Sequence, residues 1–191
     1  MKKKSIVRNL FLSFSVFFIL LNFASCQTTN LSRVYVTNSA SISILPPEDI
    51  DECLDCPMML SVSFGKISFS ALTYVLADES GIYLDITNDF GTDMGSLSFD
   101  GERVELDCPL IPSRLKGEYI INDFQFAFYQ TEKIRKNLAG KGLDFSSEIN
   151  EEGIEKRIVK SKEKIIESIT IQQGLVTIEN FLRSYTYILQ F

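Results

Sequence analysis

The sequence contains no histidine and no tryptophan. Without histidine it lacks the commonest general base near neutral pH and the commonest metal ligand. It has no Gly-x-Ser-x-Gly elbow and no phosphate-cradling glycine loop, so acyl-transfer and nucleotide-dependent chemistry leave no signature. Asp89-Phe90-Gly91 spells the metal-binding triplet of kinases, but no other kinase motif accompanies it. Carboxylate pairs among the 25 acidic residues are the remaining source of acid–base chemistry. No enzymatic activity and no cofactor are expected. Positive charge is also scarce: 19 Lys and Arg against those 25 acids give a net charge of −6. An acidic chain is a poor partner for nucleic acid. Internal repeats and low-complexity segments are absent.

The one long apolar run is Leu10 to Leu21, interrupted by Ser13 and Ser15. It spans about a dozen residues, short of the roughly 20 a membrane-crossing helix needs. Lys2, Lys3, Lys4 and Arg8 precede it, and the small residues Ala24 and Ser25 follow it. A basic start, an apolar centre and a small-residue end make a secretory signal peptide over residues 1–25. Cys26 directly after the small residues resembles a bacterial lipobox, with Phe23 where leucine is usual. Such a cysteine takes a diacylglycerol and, after cleavage, an N-acyl chain. Several acyl chains hold a protein stably, where one is marginal. Residues 26–32 then read as a lipidated tether, and 33–191 as a single domain large enough for a sizeable core. Removing residues 1–25 takes the charge from −6 to −10. A surface so acidic is repelled by anionic headgroups, so the anchor must hold the protein. Gln27 rather than aspartate after the cysteine points to the outer membrane, on the side facing the periplasm. Asn30-Leu31-Ser32 fits a glycosylation pattern that has no meaning in such a setting.

Export places Cys53, Cys56 and Cys108 in an oxidising compartment. Two plain readings stand for these three: one structural disulfide, Cys108 with Cys53 or with Cys56, that leaves one thiol over, or inert thiols. Cys53-Leu-Asp-Cys56 also invites a zinc or a redox reading. Zinc would need Cys108 and a carboxylate as further ligands. A redox pair should open a helix, whereas Pro57 and an apolar strand follow this one.

The rest of the chain alternates. Short strands are expected at 33–36 and 42–45, then at 58–64, 67–76, 82–87, 94–99 and 103–106, divided by turns rich in Gly, Asp and Asn. Asp100-Gly101 is a strong hairpin signal. It puts Leu97, Phe99, Val104 and Leu106 on one face. From Asn122 or Asp123, either suited to an N-cap, the spacing becomes helical: Phe124, Ala127, Phe128, Thr131, Ile134 and Leu138. Gly140 suits the stop after Leu138. Strands resume at 143–145, 154–159, 165–171, 175–181 and 184–191. Lys156, Arg157, Lys160, Lys162 and Lys164 form the one basic cluster, read as a solvated hairpin. Strands, one helix over 123–139, then strands predict an α+β fold: a curved antiparallel sheet with a helical segment covering its concave face.

Three stretches carry a resemblance: Gly91 to Gly101, Asp123-Phe124-Gln125-Phe126-Ala127-Phe128-Tyr129 with Leu138, and Ile178-Glu179-Asn180 with Tyr185 to Phe191. Together with the lipobox they resemble a family of small bacterial lipoproteins whose domain has no established function, often encoded beside aryl-polyene or fatty-acid-type biosynthesis genes. The chain departs from that family at Tyr129-Gln130, where Trp-Pro is common. The family is itself similar to the LolA/LolB lipoprotein carriers. The resemblance implies an open half-barrel with a helical lid and an apolar cavity for acyl chains, and no catalytic residues.

The reading that follows is a membrane-anchored envelope lipoprotein that binds or transfers acyl chains, lipids or lipoproteins. Its cavity would be lined by Leu97, Phe99, Val104, Phe124, Phe128 and Ile134. One alternative is a structural or assembly partner in the envelope. Another is an outer-membrane β-barrel, suggested by alternating Tyr185, Tyr187, Leu189 and terminal Phe191. Nothing in the pattern sets an oligomeric state.

Overall fold

Alternation of apolar and polar residues runs through two long stretches, and each folds into an antiparallel meander. The computed structural model describes residues 32–191. The signal peptide, Cys26 and the tether up to residue 31 lie outside the described residues. The first meander is β3 (Leu54–Phe64), β4 (Ile67–Asp78), β5 (Gly81–Thr87), β6 (Asp93–Phe99) and β7 (Val104–Asp107). The second is β8 (Leu143–Ile149), β9 (Glu155–Ser161), β10 (Lys164–Gln172), β11 (Leu175–Asn180) and β12 (Tyr185–Gln190). Two helices, α1 (Gly117–Phe128) and α2 (Thr131–Leu138), connect them. A short hairpin of β1 (Arg33–Tyr35) and β2 (Ser41–Ser43) precedes them all.

The meanders join through β3 and β12, from Phe64 opposite Tyr185 to Met59 opposite Gln190. The result is one ten-stranded sheet in the order β7-β6-β5-β4-β3-β12-β11-β10-β9-β8. The two edge strands, β7 and β8, are those that flank the helices. They do not pair, so the sheet stays open, and α1 and α2 cross its concave face from edge to edge. The fold is α+β with an open curved sheet, as the alternation predicts. The outer-membrane barrel is overturned: a spanning barrel must be closed so that no edge is left unpaired.

Consecutive hairpins alternate between two ends. The turns at 65–66, 88–92, 162–163 and 181–184 and the connection 108–116 form what we call the tip. Those at 79–80, 100–103, 150–154 and 173–174 form the base. Pro57 sits inside β3 without breaking the ladder. It lies beyond the last pair with β12, where β3 has a neighbour only in β4. A missing N–H is tolerated on such an unpaired side.

The helix differs from the expected single segment over 123–139. It starts six residues earlier, at Gly117, so Asn122 and Asp123 are not caps but buried positions in mid-helix. It also breaks in two. Tyr129 is extended and makes a bridge with Ile50. Asp51 N–H donates to the Phe128 carbonyl, and Gln130 N–H to that of Asp49. A strand-like contact from the N-terminal segment therefore replaces the next helical turn. That segment makes a third layer over the helices. The Gln125 side chain exchanges two hydrogen bonds with the Leu45 backbone, at 2.9 and 2.7 Å, as a neighbouring strand would. Asn137 donates to the Ser43 carbonyl. Helix α1 is consequently buried on both sides.

Arg157 is another departure. The solvated basic hairpin loses its second member to the interior. The Arg157 side chain is buried, pairs with Glu155 at 2.7 Å, and donates to the carbonyls of Phe126 and Tyr129. It satisfies the orphan carbonyls that end α1, where positive charge is favoured.

Candidate functional site

The concave face is apolar because every second residue of each strand points into it. Between α1 and the first meander this leaves an apolar cavity of about 40 Å³. Its floor is Leu60 and Val62 of β3, Leu84 and Ile86 of β5, Leu97 of β6, Ile178 of β11, and Tyr187 and Leu189 of β12. Its roof is Ile120 and Phe124 of α1 with Ile111 from the β7–α1 connection. The strand between β3 and β5 turns only small side chains inward here, Ala71 and Thr73. That is where the room comes from. The Tyr187 hydroxyl is buried with no hydrogen-bond partner among the described residues.

Of the six residues expected to line a cavity, Leu97 and Phe124 do so. Phe99 and Val104 sit opposite each other at the base end of β6 and β7, and Val104 packs under Gly117. Phe128 stacks on Phe124 at 4.5 Å, one turn further along α1. Ile134 is fully buried on α2, which lies over β8 and β2. The cavity therefore belongs to the middle strands β3, β5 and β12 more than to the β6–β7 hairpin. Its β3 and β12 walls come from opposite ends of the chain, which a local pattern does not show.

Beside the cavity is a buried polar cluster. Asp123 of α1 is 2% exposed and Glu167 of β10 is 1% exposed. Tyr185 donates its hydroxyl proton to Asp123, and Asn180 its amide to Glu167 at 3.1 Å. Burial raises the Asp123 carboxyl to about 7, while hydrogen bonds from Tyr185, Glu167 and Asn180 and the charge of Arg183 pull it back down. Burial, then repulsion from Asp123, raises Glu167 well above the usual carboxylate range. Glu167 Oε1 is buried with no hydrogen-bond partner among the described residues. It is satisfied if it carries a proton and donates it to Asp123. Through Tyr185 and Asn180 the two carboxyls tie α1 to the second meander. The sequence pattern offers Asp123 as a helix N-cap and gives Glu167 no role. The available signal was Glu167 at the same inward parity as Ile169 in an otherwise apolar strand.

Of the disulfide and the inert thiols that the sequence leaves open, the structure has the thiols: Cys53, Cys56 and Cys108 are free. Cys56 lies in β3, while Cys108 follows β7, four strands away. At about 4.8 Å per strand that is far beyond the roughly 7 Å a disulfide spans. Cys53 and Cys56 are three extended residues apart, about 10 Å, and are also out of reach of each other. Cys53 is exposed and Cys108 buried.

The family described as protein of unknown function (DUF3261) matches residues 58–190. That range begins inside β3 and ends with β12, so it contains the whole strand and helix frame of the cavity. No curated protein matches the chain.

Proposed function

The chain belongs to the DUF3261 family, and on that premise we propose that it is a lipid-anchored protein of the bacterial cell envelope that binds acyl chains of lipids or lipoproteins beneath α1. The observation that carries this reading is the apolar wall under the helix, built from five strands of the sheet and closed by a helix. Acyl sites need such a dry wall with few polar groups. The reading agrees with the resemblance to LolA/LolB-type carriers, and Cys26 would supply the anchor.

At about 40 Å³ the resting cavity is far below the roughly 300–1,000 Å³ of an occupied ligand site. Loading therefore requires a roof that moves. The connection 108–116 is suited to this. Its backbone bonds run within itself, from Ile111 to Cys108 and from Leu115 to Pro112, and not to the sheet. Few bonds are lost when such a segment opens. The test uses the full chain carrying Cys26→Ala. Lipid extracted after purification and identified by mass spectrometry, or uptake of a fluorescent fatty acid, supports the reading. Finding neither rejects it.

The small cavity favours one other reading, a non-catalytic assembly partner whose core is simply well filled. Its mark is a stoichiometric protein partner captured with no lipid in either.

A further inference from the structure

A second cleft, of about 400 Å³, opens at the tip. It is lined by Phe64, Arg114, Leu115, Tyr119, Arg183 and Ser184, with no acidic residue. The Arg114 guanidinium lies 4.3 Å over the Phe64 ring, and that of Arg183 lies 3.9 Å over the Tyr119 ring. Arg183 also donates to the Tyr35 carbonyl. The ion pairs among the described residues are Lys133–Asp49 and Arg157–Glu155, so neither cleft arginine has a carboxylate within bonding reach. Stacking holds a guanidinium plane in place and leaves its edge available for a carboxylate or phosphate, the whole edge at Arg114 and the part not bonded to Tyr35 at Arg183. Lys66 and Lys116 follow Gly65 and Leu115 in the chain, adding positive charge beside the opening.

The cleft adjoins the apolar cavity through three elements. Phe64 and Val62 are successive inward residues of β3. Tyr119 and Ile120 are neighbours on α1. Arg114 and Ile111 share the β7–α1 connection. We infer that this cleft is a head-group site, in which Arg114 and Arg183 hold the carboxylate or phosphate of an amphiphile whose chain enters the cavity under α1. The inference rests on the acyl-binding reading and adds a charge requirement to it.

The test is calorimetric titration of the full chain carrying Cys26→Ala with dodecanoate, dodecyl phosphate, dodecanol and inorganic phosphate. Dodecanoate or dodecyl phosphate should bind about tenfold or more tightly than dodecanol. The comparison of the two distinguishes a fatty carboxylate from a phosphate head. Arg114→Gln and the pair Arg114→Gln with Arg183→Gln should lower the anionic ligands toward dodecanol's affinity. Arg114 is exposed, and an unchanged thermal midpoint would show that its variant is folded. Equal affinity for all three dodecyl ligands overturns the head-group site and leaves the acyl reading standing. So does an anion preference that survives in the double variant. Inorganic phosphate binding as tightly as dodecyl phosphate overturns the shared site, because the chain then contributes nothing. No binding of any dodecyl ligand fails the acyl reading itself.

Discussion

The buried carboxyls of Asp123 and Glu167 set the pH behaviour of the fold. Both carboxyls stand above their usual range in the folded protein, Asp123 at about 7 and Glu167 well above its ordinary value. The unfolded chain ionises them near pH ~4. Below that, both states are protonated and the pair's contribution is complete. Above it the folded state binds more protons than the unfolded state, so stability falls as pH rises through about 7. The thermal midpoint should therefore decline between about pH 5 and about pH 8. Glu167→Gln keeps a donor toward Asp123 with one fewer ionisable group, and it should flatten that decline. A midpoint that rises over the same range, or an unchanged slope in the variant, contradicts the assignment. Arg157 is the other residue with a large expected effect. Arg157→Met leaves Glu155 unpaired and two helix-end carbonyls bare, which should cost about 3 kcal/mol in denaturant unfolding. A loss under roughly 1 kcal/mol would mean that water replaces it. Neither role was legible from composition. Arg157 stands in a run of lysines, and only its parity with buried Val159 separates it from them.

At the scale of elements, α1 is the piece that everything else is fitted to. It starts at Gly117 because a side chain there has nowhere to go. An added Cβ would meet Val104 Cγ1 at 2.8 Å and Leu106 Cβ at 3.1 Å. Gly117→Val should thus lift the helix start from β6 and β7 and destabilise by about 2 kcal/mol, although glycine is a poor helix former. Thermal unfolding checks it, and a stabilised variant would contradict the close packing. Strands were legible because period-2 alternation and turn residues are local signals. The hairpin at Asp100-Gly101 is an example: Asp100 accepts bonds from the N–H groups of Glu102 and Arg103. The true helix start and the break after Phe128 were not. Gly117 reads as a weak helix residue, and Tyr129-Gln130 contains no proline or glycine. The break is imposed by Ile50 and Asp51, almost 80 residues away in the chain.

At the scale of the molecule, pairing β3 with β12 decides the architecture. It places both helix-flanking strands at the edges and so sends the helices across the concave face. Periodicity gives each strand but not this long-range partner, and a pattern of apolar residues does not give a cavity volume. Charge is also organised at this scale. Glu79, Asp100, Glu102, Glu151 and Glu152 fall in base turns against the single cation Arg103, while Lys66, Arg114, Lys116, Lys162 and Arg183 fall at the tip against Asp89 and Glu163. The net negative charge is thus unevenly spread over the turns, with the positive excess at the tip beside the cleft. If Cys26 carries the anchor, Cys26→Ala should move the protein from the membrane fraction to the soluble fraction with its thermal midpoint unchanged. Retention in the membrane would contradict that anchor.

The central claim is that an acyl chain lies between α1 and the middle of the sheet. Photo-crosslinking of the Cys26→Ala chain with a diazirine-bearing fatty acid, followed by peptide mapping, tests it most directly. The account predicts adducts on Ile120 or Phe124 of α1 and on Leu60, Leu84 or Leu189 of the sheet, competed away by unlabelled fatty acid. Adducts confined to exposed residues of the opposite face, such as Leu72 and Tyr74, or no competable adduct at all, would contradict it.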